Sequence, residues 1–122
     1  MLKLLPSVLS ADFANLGRDL ACIKEAGITQ VHVDVMDGNF VPSISLGFPV
    51  IRSMRKVSDL FFDVHLMVEE PGRYLEETKA AGADRIGVHA EACRHLHRTL
   101  QQIRALGCET CVVLNPATPL TA

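Results

Sequence analysis

The stretch VHVDVMDG, residues 31–38, decides the fold of this chain together with the related stretch DVHLM, residues 63–67. Both are typical of β-strands, in which alternate side chains point to opposite faces of the sheet. Aliphatic side chains occupy one face of each stretch, whereas imidazole, carboxylate and thioether groups share the other. This second face carries His32, Asp34, Met36, Asp63, His65 and Met67.

The polar face requires a chemical explanation, because an exposed strand favours Lys, Thr or Glu and a buried strand favours aliphatic residues. His32 and Asp34 share a strand, and His65 on a neighbouring strand would lie about 4.8 Å away. Together they could ligate one divalent cation, Zn, Fe, Mn or Co, and leave a coordination position open. Asp34 could also move a proton, with Met36 and Met67 as nonprotic walls.

The rest of the sequence repeats one pattern, an apolar strand followed by an amphipathic helix. It predicts strands at residues 4–9, 31–35, 60–66, 85–89 and 111–114, and helices at residues 15–26, 49–57, 72–81 and 94–106. Three of these helices end at a glycine that precedes the next strand, namely Gly27, Gly82 and Gly107. Strand starts recur about every 25 to 30 residues, the length of a strand plus a crossover helix in a parallel sheet.

Two α/β architectures fit this repeat, the doubly wound sheet and the closed TIM (β/α)8 barrel. A doubly wound sheet usually has a glycine-rich turn after its first strand, but residues 7–12 contain no glycine. Polar residues instead follow several strands, as in a barrel. A closed barrel takes about 200 to 250 residues. We therefore expect residues 1–122 to form one domain of about four and a half β-α units, the N-terminal half of a TIM barrel.

Composition excludes several classes of protein. The 122 residues are 48% hydrophobic and 21% charged with a net charge of −2, as in a globular domain. Basic clusters with interleaved aromatic residues are missing, so nucleic-acid binding is not expected. No apolar run reaches the ~18 residues of a membrane span and no signal peptide is recognised, so we expect a cytoplasmic protein without membrane contact. The four cysteines are expected to be free thiols.

Five motifs, taken in order, resemble the ribulose-phosphate 3-epimerase family. They are PSVLSADF at residues 6–13, HVDVMDGNFVP at 32–42, DVHLMV at 63–68, HAEA at 89–92 and LNPATP at 114–119. The resemblance implies a TIM-barrel enzyme that interconverts D-ribulose 5-phosphate and D-xylulose 5-phosphate by proton transfer at C3 through an enediolate. It also implies one divalent metal and two aspartates on opposite faces of the substrate.

By position, the resemblance assigns roles to individual residues. His32, Asp34 and His65 correspond to metal ligands, and Asp34 corresponds also to one of the two acid/base aspartates. The residues that correspond to substrate contacts are Ser7, Met36, His65 and Met67. The family's second aspartate and its glycine-rich phosphate-binding loops do not fall within these 122 residues. We therefore expect this chain alone to be a poor epimerase.

Two alternatives stay open. Related epimerases act on a hexulose 6-phosphate such as allulose 6-phosphate and share these motifs, so the substrate could be a hexulose rather than a ketopentose phosphate. Alternatively, the chain is a catalytically incomplete half-barrel that binds metal or self-associates. Its unpaired sheet edges, at residues 4–9 and 111–114, favour a homo-oligomer in either case.

Overall fold

Four parallel strands form one sheet in the computed structural model, which describes residues 1–122. In chain order they are β1 (Gln30–Met36), β2 (Phe61–Met67), β3 (Arg85–His89) and β4 (Glu109–Val113), and each pairs with the next. The helices are α1 (Leu16–Glu25), α2 (Phe48–Val57), α3 (Leu75–Ala81) and α4 (Leu96–Ala105). One helix lies in each crossover between strands, which confirms the α/β class and the arrangement of part of a TIM barrel.

The hydrophobic core lies between the sheet and its helices. As the alternation predicts, the valines of β1 at positions 31, 33 and 35 are all buried, while the residues between them are half-buried. The largest side chains with almost no exposed surface are Phe62, Ile51, Met54, Leu66, Ile86 and Ile103. The second face of the sheet is therefore left to the polar side chains.

The predicted strand at residues 4–9 is wrong. Only Ser7 forms a bridge to β1, opposite His32, and the His32 N–H donates to the Pro6 carbonyl at 2.9 Å. Pro6 has no N–H with which to continue a ladder. The chain then turns into a 3-10 helix, Val8–Ser10, whose start is capped by the Ser7 hydroxyl accepting from the Leu9 N–H at 3.3 Å. An apolar run of strand length thus contributes one bridge and no strand.

Other boundaries shift by a few residues. The strand predicted at 111–114 begins at Glu109, and the helix predicted from residue 94 begins at Leu96. The segment Pro71–Arg73 is a separate 3-10 turn before α3. The three predicted helix-ending glycines all have positive φ, and a Cβ on Gly82 would also collide with the side chain of Arg55. These glycines end the helices as predicted.

Arg55 of α2 closes the end of the sheet where the strands begin. Its guanidinium donates to the carbonyls of Leu60 and Gly82 and to the Asp84 carboxylate, and lies 3.8 Å from the centre of the Phe62 ring. The Asp84 carboxylate in turn accepts from the Phe62 N–H at 2.8 Å. This end of the sheet is therefore tied together by structural contacts, and the polar cluster lies further along the strands.

All four cysteines are free thiols, as predicted. None of the helices combines the length and apolar character that crossing a bilayer requires.

Candidate metal centre

The three predicted metal ligands meet on the polar face of β1 and β2. Asp34 lies directly opposite His65 in the parallel register, and His32 precedes Asp34 by two residues on the same face. Oδ1 of Asp34 is 3.1 Å from Nε2 of His32 and 3.2 Å from Nδ1 of His65. One ligand atom from each of the three residues lies within 4.8 Å of the others. The alternation therefore predicted this cluster correctly.

The donor set fits a divalent transition metal. Two imidazole nitrogens and one carboxylate oxygen are common ligands of Zn, Fe, Mn and Co, and three protein ligands leave room for a substrate oxygen. Each histidine also has a partner at its outer nitrogen, as metal-binding histidines usually do. His32, Asp34 and His65 would therefore hold the cation.

Asp63 is the outer partner of His32. It lies opposite His32 in the register, and its Oδ2 is 2.8 Å from Nδ1 of that ring. Its other oxygen faces Arg85 at 3.8 Å, and Arg85 is bound in turn to Glu109 at 2.7 Å. The sequence pattern placed Asp63 on the polar face but gave it no role, because the role depends on which residue lies opposite.

His89 is the outer partner of His65. It ends β3, is 4% exposed, and its Nε2 is 2.8 Å from Nε2 of His65. The Phe40 ring packs on it with a centroid distance of 4.8 Å. The HAEA motif singled out His89 and Glu91, but only the fold shows that His89 contacts His65.

Charges in the cluster stabilise one another. Hydrogen bonds that His32 donates to Asp34, and then to Asp63, raise the pKa of His32 to about 9, despite partial burial. Hydrogen bonds from His32 and then His65 hold the pKa of Asp34 well below its usual range, and Ser7 contributes to the same shift. At neutral pH His32 is therefore an imidazolium between two carboxylates in the metal-free chain.

Two serines fix the position of Asp34. The Ser7 hydroxyl donates to Oδ2 of Asp34 at 3.1 Å, on the side away from the histidines. The Ser45 hydroxyl donates to the Asp34 carbonyl at 2.6 Å and accepts from the Met36 N–H at 3.0 Å. Both the side chain and the backbone of Asp34 are therefore held in place.

Asp37, which follows β1, has a structural role. Its carboxylate accepts the N–H groups of Asn39, Phe40 and Glu69, each at 2.8 Å. It therefore joins the loop after β1 to the loop after β2 at the mouth of the site.

Met36 and Met67 lie directly opposite each other at the ends of β1 and β2, and both are half-buried. They share the face of Asp34 and His65, as the alternation predicts. Their role as walls beside a substrate stays a prediction.

Known proteins of one family resemble this chain over nearly its whole length. The family model described as "Ribulose-phosphate 3 epimerase family" matches residues 3–122. The chain belongs to this family. Curated members similar to it include ribulose-phosphate 3-epimerase of Bacillus subtilis, 52% identical over 98% of this chain and 55% of that protein. The ribulose-5-phosphate-3-epimerase of Arabidopsis thaliana chloroplasts is 50% identical over 96% of this chain and 42% of that protein.

The chain spans about half the length of the epimerases that it matches. Two solved structures resemble its fold: a phospho-2-dehydro-3-deoxyheptonate aldolase of Thermotoga maritima (TM-score 0.67, 16% identity) and the DHPS of Yersinia pestis (TM-score 0.65, 14% identity). They cover 91% and 95% of this chain, with 33% and 45% of their own length. At these identities the resemblance concerns the fold alone.

Proposed function

We propose that this chain provides the metal site and one acid/base group of an epimerase that interconverts D-ribulose 5-phosphate and D-xylulose 5-phosphate. The observation that carries the proposal is the position of Asp34, whose Oδ1 lies between Nε2 of His32 and Nδ1 of His65. Membership of the epimerase family supports the reaction type. Residues 1–122 would then form one domain, part of a longer TIM barrel.

Asp34 is the group that would take the proton at C3. The two sugars are epimers at this carbon, which is adjacent to the C2 carbonyl, so loss of its proton gives an enediolate. The low pKa of Asp34 keeps its carboxylate ionised at neutral pH, so a lone pair is available for the C3 proton. A carboxylate with so low a pKa is a weak base, so the transfer would depend on a substrate made more acidic by the cation. A divalent cation held by His32, Asp34 and His65 would supply positive charge beside the substrate carbonyl and make the C3 proton more acidic.

Stereochemistry limits what one base can do. Asp34 removes and returns a proton on the same face of the substrate, which exchanges the proton but does not invert the carbon. Inversion requires delivery from the opposite face, by a second acid. We therefore infer that this chain alone exchanges the C3 proton much faster than it epimerises the sugar.

The test is proton exchange in D2O. The full 122-residue chain is loaded with Zn²⁺ and incubated with D-ribulose 5-phosphate, and deuterium at C3 and formation of D-xylulose 5-phosphate are followed by NMR. We expect deuterium incorporation that requires Zn²⁺ and is lost in Asp34→Asn. D-allulose 6-phosphate in the same assay distinguishes a hexulose phosphate epimerase, which would exchange it faster.

Asp59→Asn is the matched control, because Asp59 is an exposed carboxylate paired only with Lys24 at 2.8 Å. It should leave the exchange rate unchanged. Equal exchange rates for Asp34→Asn and the unaltered chain would overturn the role of Asp34.

A further inference from the structure

The contact between His65 and His89 couples the protonation of two rings. Their Nε2 atoms are 2.8 Å apart, and the rings stack with centroids 4.9 Å apart and 28° between their planes. A hydrogen bond between two imidazole nitrogens needs one N–H and one lone pair. The tautomer of one ring therefore determines the tautomer of the other.

Two arrangements of neutral rings satisfy this contact. In the first, His65 carries its proton on Nδ1, donates to Asp34, and accepts from the Nε2–H of His89. In the second, His65 carries its proton on Nε2, donates it to His89, and leaves its Nδ1 lone pair facing Asp34 and the metal position. Only the second arrangement presents a ligand atom. Each ring holds one proton in both, so the difference is one of position and not of charge.

Asp34 and Glu91 favour different arrangements. In the first, the Nδ1–H of His65 faces Oδ1 of Asp34 at 3.2 Å, which is attractive, whereas in the second a lone pair faces that carboxylate, which is repulsive unless a cation lies between them. Glu91 acts in the opposite direction. Its Oε2 lies 3.4 Å from Nδ1 of His89, a buried nitrogen with no aligned hydrogen-bond partner. In the first arrangement a lone pair on this nitrogen faces the carboxylate, which is repulsive. In the second an N–H faces it, which is attractive. The charge of Glu91 therefore favours the arrangement in which His89 accepts from His65.

Glu91 is itself held in place. Its Oε1 accepts from the Asn115 N–H and from the Thr118 hydroxyl, the latter at 2.7 Å. These bonds lower the pKa of Glu91 to about 2, so it is ionised at neutral pH. The carboxylate that faces Nδ1 of His89 is thus negatively charged.

We propose that His89 is a positioning residue of the metal centre, which accepts the Nε2–H of His65 and so directs the Nδ1 lone pair of His65 towards the metal. Glu91 holds His89 in the tautomer that does this. The inference rests on the proposed function, because His65 is assigned there as a metal ligand. It adds two residues of β3 and its following turn to a site built on β1 and β2.

The first measurement is the tautomer of each histidine in the full, metal-free chain. Long-range 15N–1H correlation spectra of 15N-labelled protein distinguish the Nδ1–H tautomer, the Nε2–H tautomer and the imidazolium. We expect a measurable fraction of His65 with its proton on Nε2, in competition with donation from Nδ1 to Asp34, and a smaller fraction in Glu91→Gln. An unchanged His65 tautomer in Glu91→Gln would overturn the role of Glu91, and a His65 proton on Nδ1 alone in the unaltered chain would overturn the proposal.

The second measurement is Zn²⁺ affinity by calorimetry. His89→Leu, which removes the acceptor, should weaken binding by about 10- to 100-fold. His89→Gln, whose amide oxygen can accept in place of Nε2, should restore affinity to within about threefold. His97→Leu, at an exposed histidine of α4, is the control and should change nothing. Equal affinities for His89→Leu and the unaltered chain would overturn the proposal.

The two measurements separate the possible failures. If His89→Leu does not fold, Glu91→Gln decides by its effect on the His65 tautomer, because this variant keeps every atom of His89. If the unaltered chain binds no Zn²⁺, the proposed metal site fails, while the metal-free spectra still test the contact between the two rings.

Discussion

The two histidines of the metal centre differ at their outer nitrogens. Both direct one nitrogen towards Oδ1 of Asp34, at 3.1 and 3.2 Å. The other nitrogen of His32 meets the Asp63 carboxylate, whereas the other nitrogen of His65 meets the buried imidazole of His89. A second carboxylate makes His32 a strong base that holds a proton in the metal-free chain. The partner of the outer nitrogen therefore decides the state of each histidine. His32 is charged because it contacts Asp63, whereas His65 shares a hydrogen bond with His89.

Asp34→Asn should have the largest effect, because Asp34 is the contact that the two histidines share. Its carboxylate is also an expected ligand, so we predict at least about a 100-fold loss of Zn²⁺ affinity, more than an outer partner usually contributes. Calorimetry on the full chain measures this loss. If Zn²⁺ affinity fell by less than about tenfold, His32 and His65 would bind the metal independently of Asp34.

Asp63→Asn tests the contact between His32 and Asp63 alone. The amide oxygen can still accept from His32 but carries no charge, so we expect Zn²⁺ affinity at pH 7.5 to fall by about tenfold. The removal of Asp63 also lowers the pKa of His32, which weakens proton competition and limits the loss. NMR titration of His32 should show this lower pKa, and a pKa still near 9 would contradict the assignment.

Metal affinity should rise with pH because His32 loses its proton. Below a pKa of about 9 His32 is protonated in the metal-free chain, so ligation through its Nε2 must release one proton. Between pH 7 and 8 we expect about a tenfold gain in Zn²⁺ affinity per pH unit from this proton, and a smaller gain in Asp63→Asn. Calorimetry in buffers of different ionisation enthalpy counts the protons released. Release of no proton would mean that the two histidines do not differ in charge.

Ser7→Ala should have the smallest effect. The Ser7 hydroxyl contacts Oδ2 of Asp34 and neither histidine. We expect a loss of about 1 to 3 kcal/mol in the free energy of unfolding, because Ser7→Ala removes both the hydrogen bond to Asp34 and the cap at the Leu9 N–H. Urea titration measures this loss, and the pH dependence of Zn²⁺ affinity should be unchanged. A changed pH dependence would show that Ser7 influences His32 through Asp34.

The sequence predicted the faces of the strands better than the contacts between them. Alternation alone assigns His32, Asp34 and His65 to one face, because side chains in a strand repeat every two residues. The partners of these residues depend on the register, in which Gln30 pairs with Phe61, and no local pattern specifies that offset. The contact of His32 with Asp63 therefore required the structure.

His89 was harder to interpret for the same reason. It lies two residues beyond Gly87, which is the residue of β3 opposite His65, and the 3-10 turn Ala90–Ala92 follows it directly. Its side chain reaches His65 diagonally, from two positions beyond the residue that pairs with His65. The failed strand at residues 4–9 has a different cause, since hydrophobicity identified an apolar run but the backbone of Pro6 could not extend the ladder.

The predicted metal ligands all lie within one strand–helix–strand unit, β1–α2–β2, and Asp34 and His65 are 31 positions apart in the chain. Paired residues are 31 positions apart between β1 and β2, but 22 between β2 and β3 and 24 between β3 and β4. The pairing of β1 with β2 therefore closes the longest of the three crossovers, and a cation that links these two strands would offset part of its loop entropy. Hydrogen exchange should therefore show Zn²⁺ protecting the amides between β1 and β2 more strongly than those between β3 and β4.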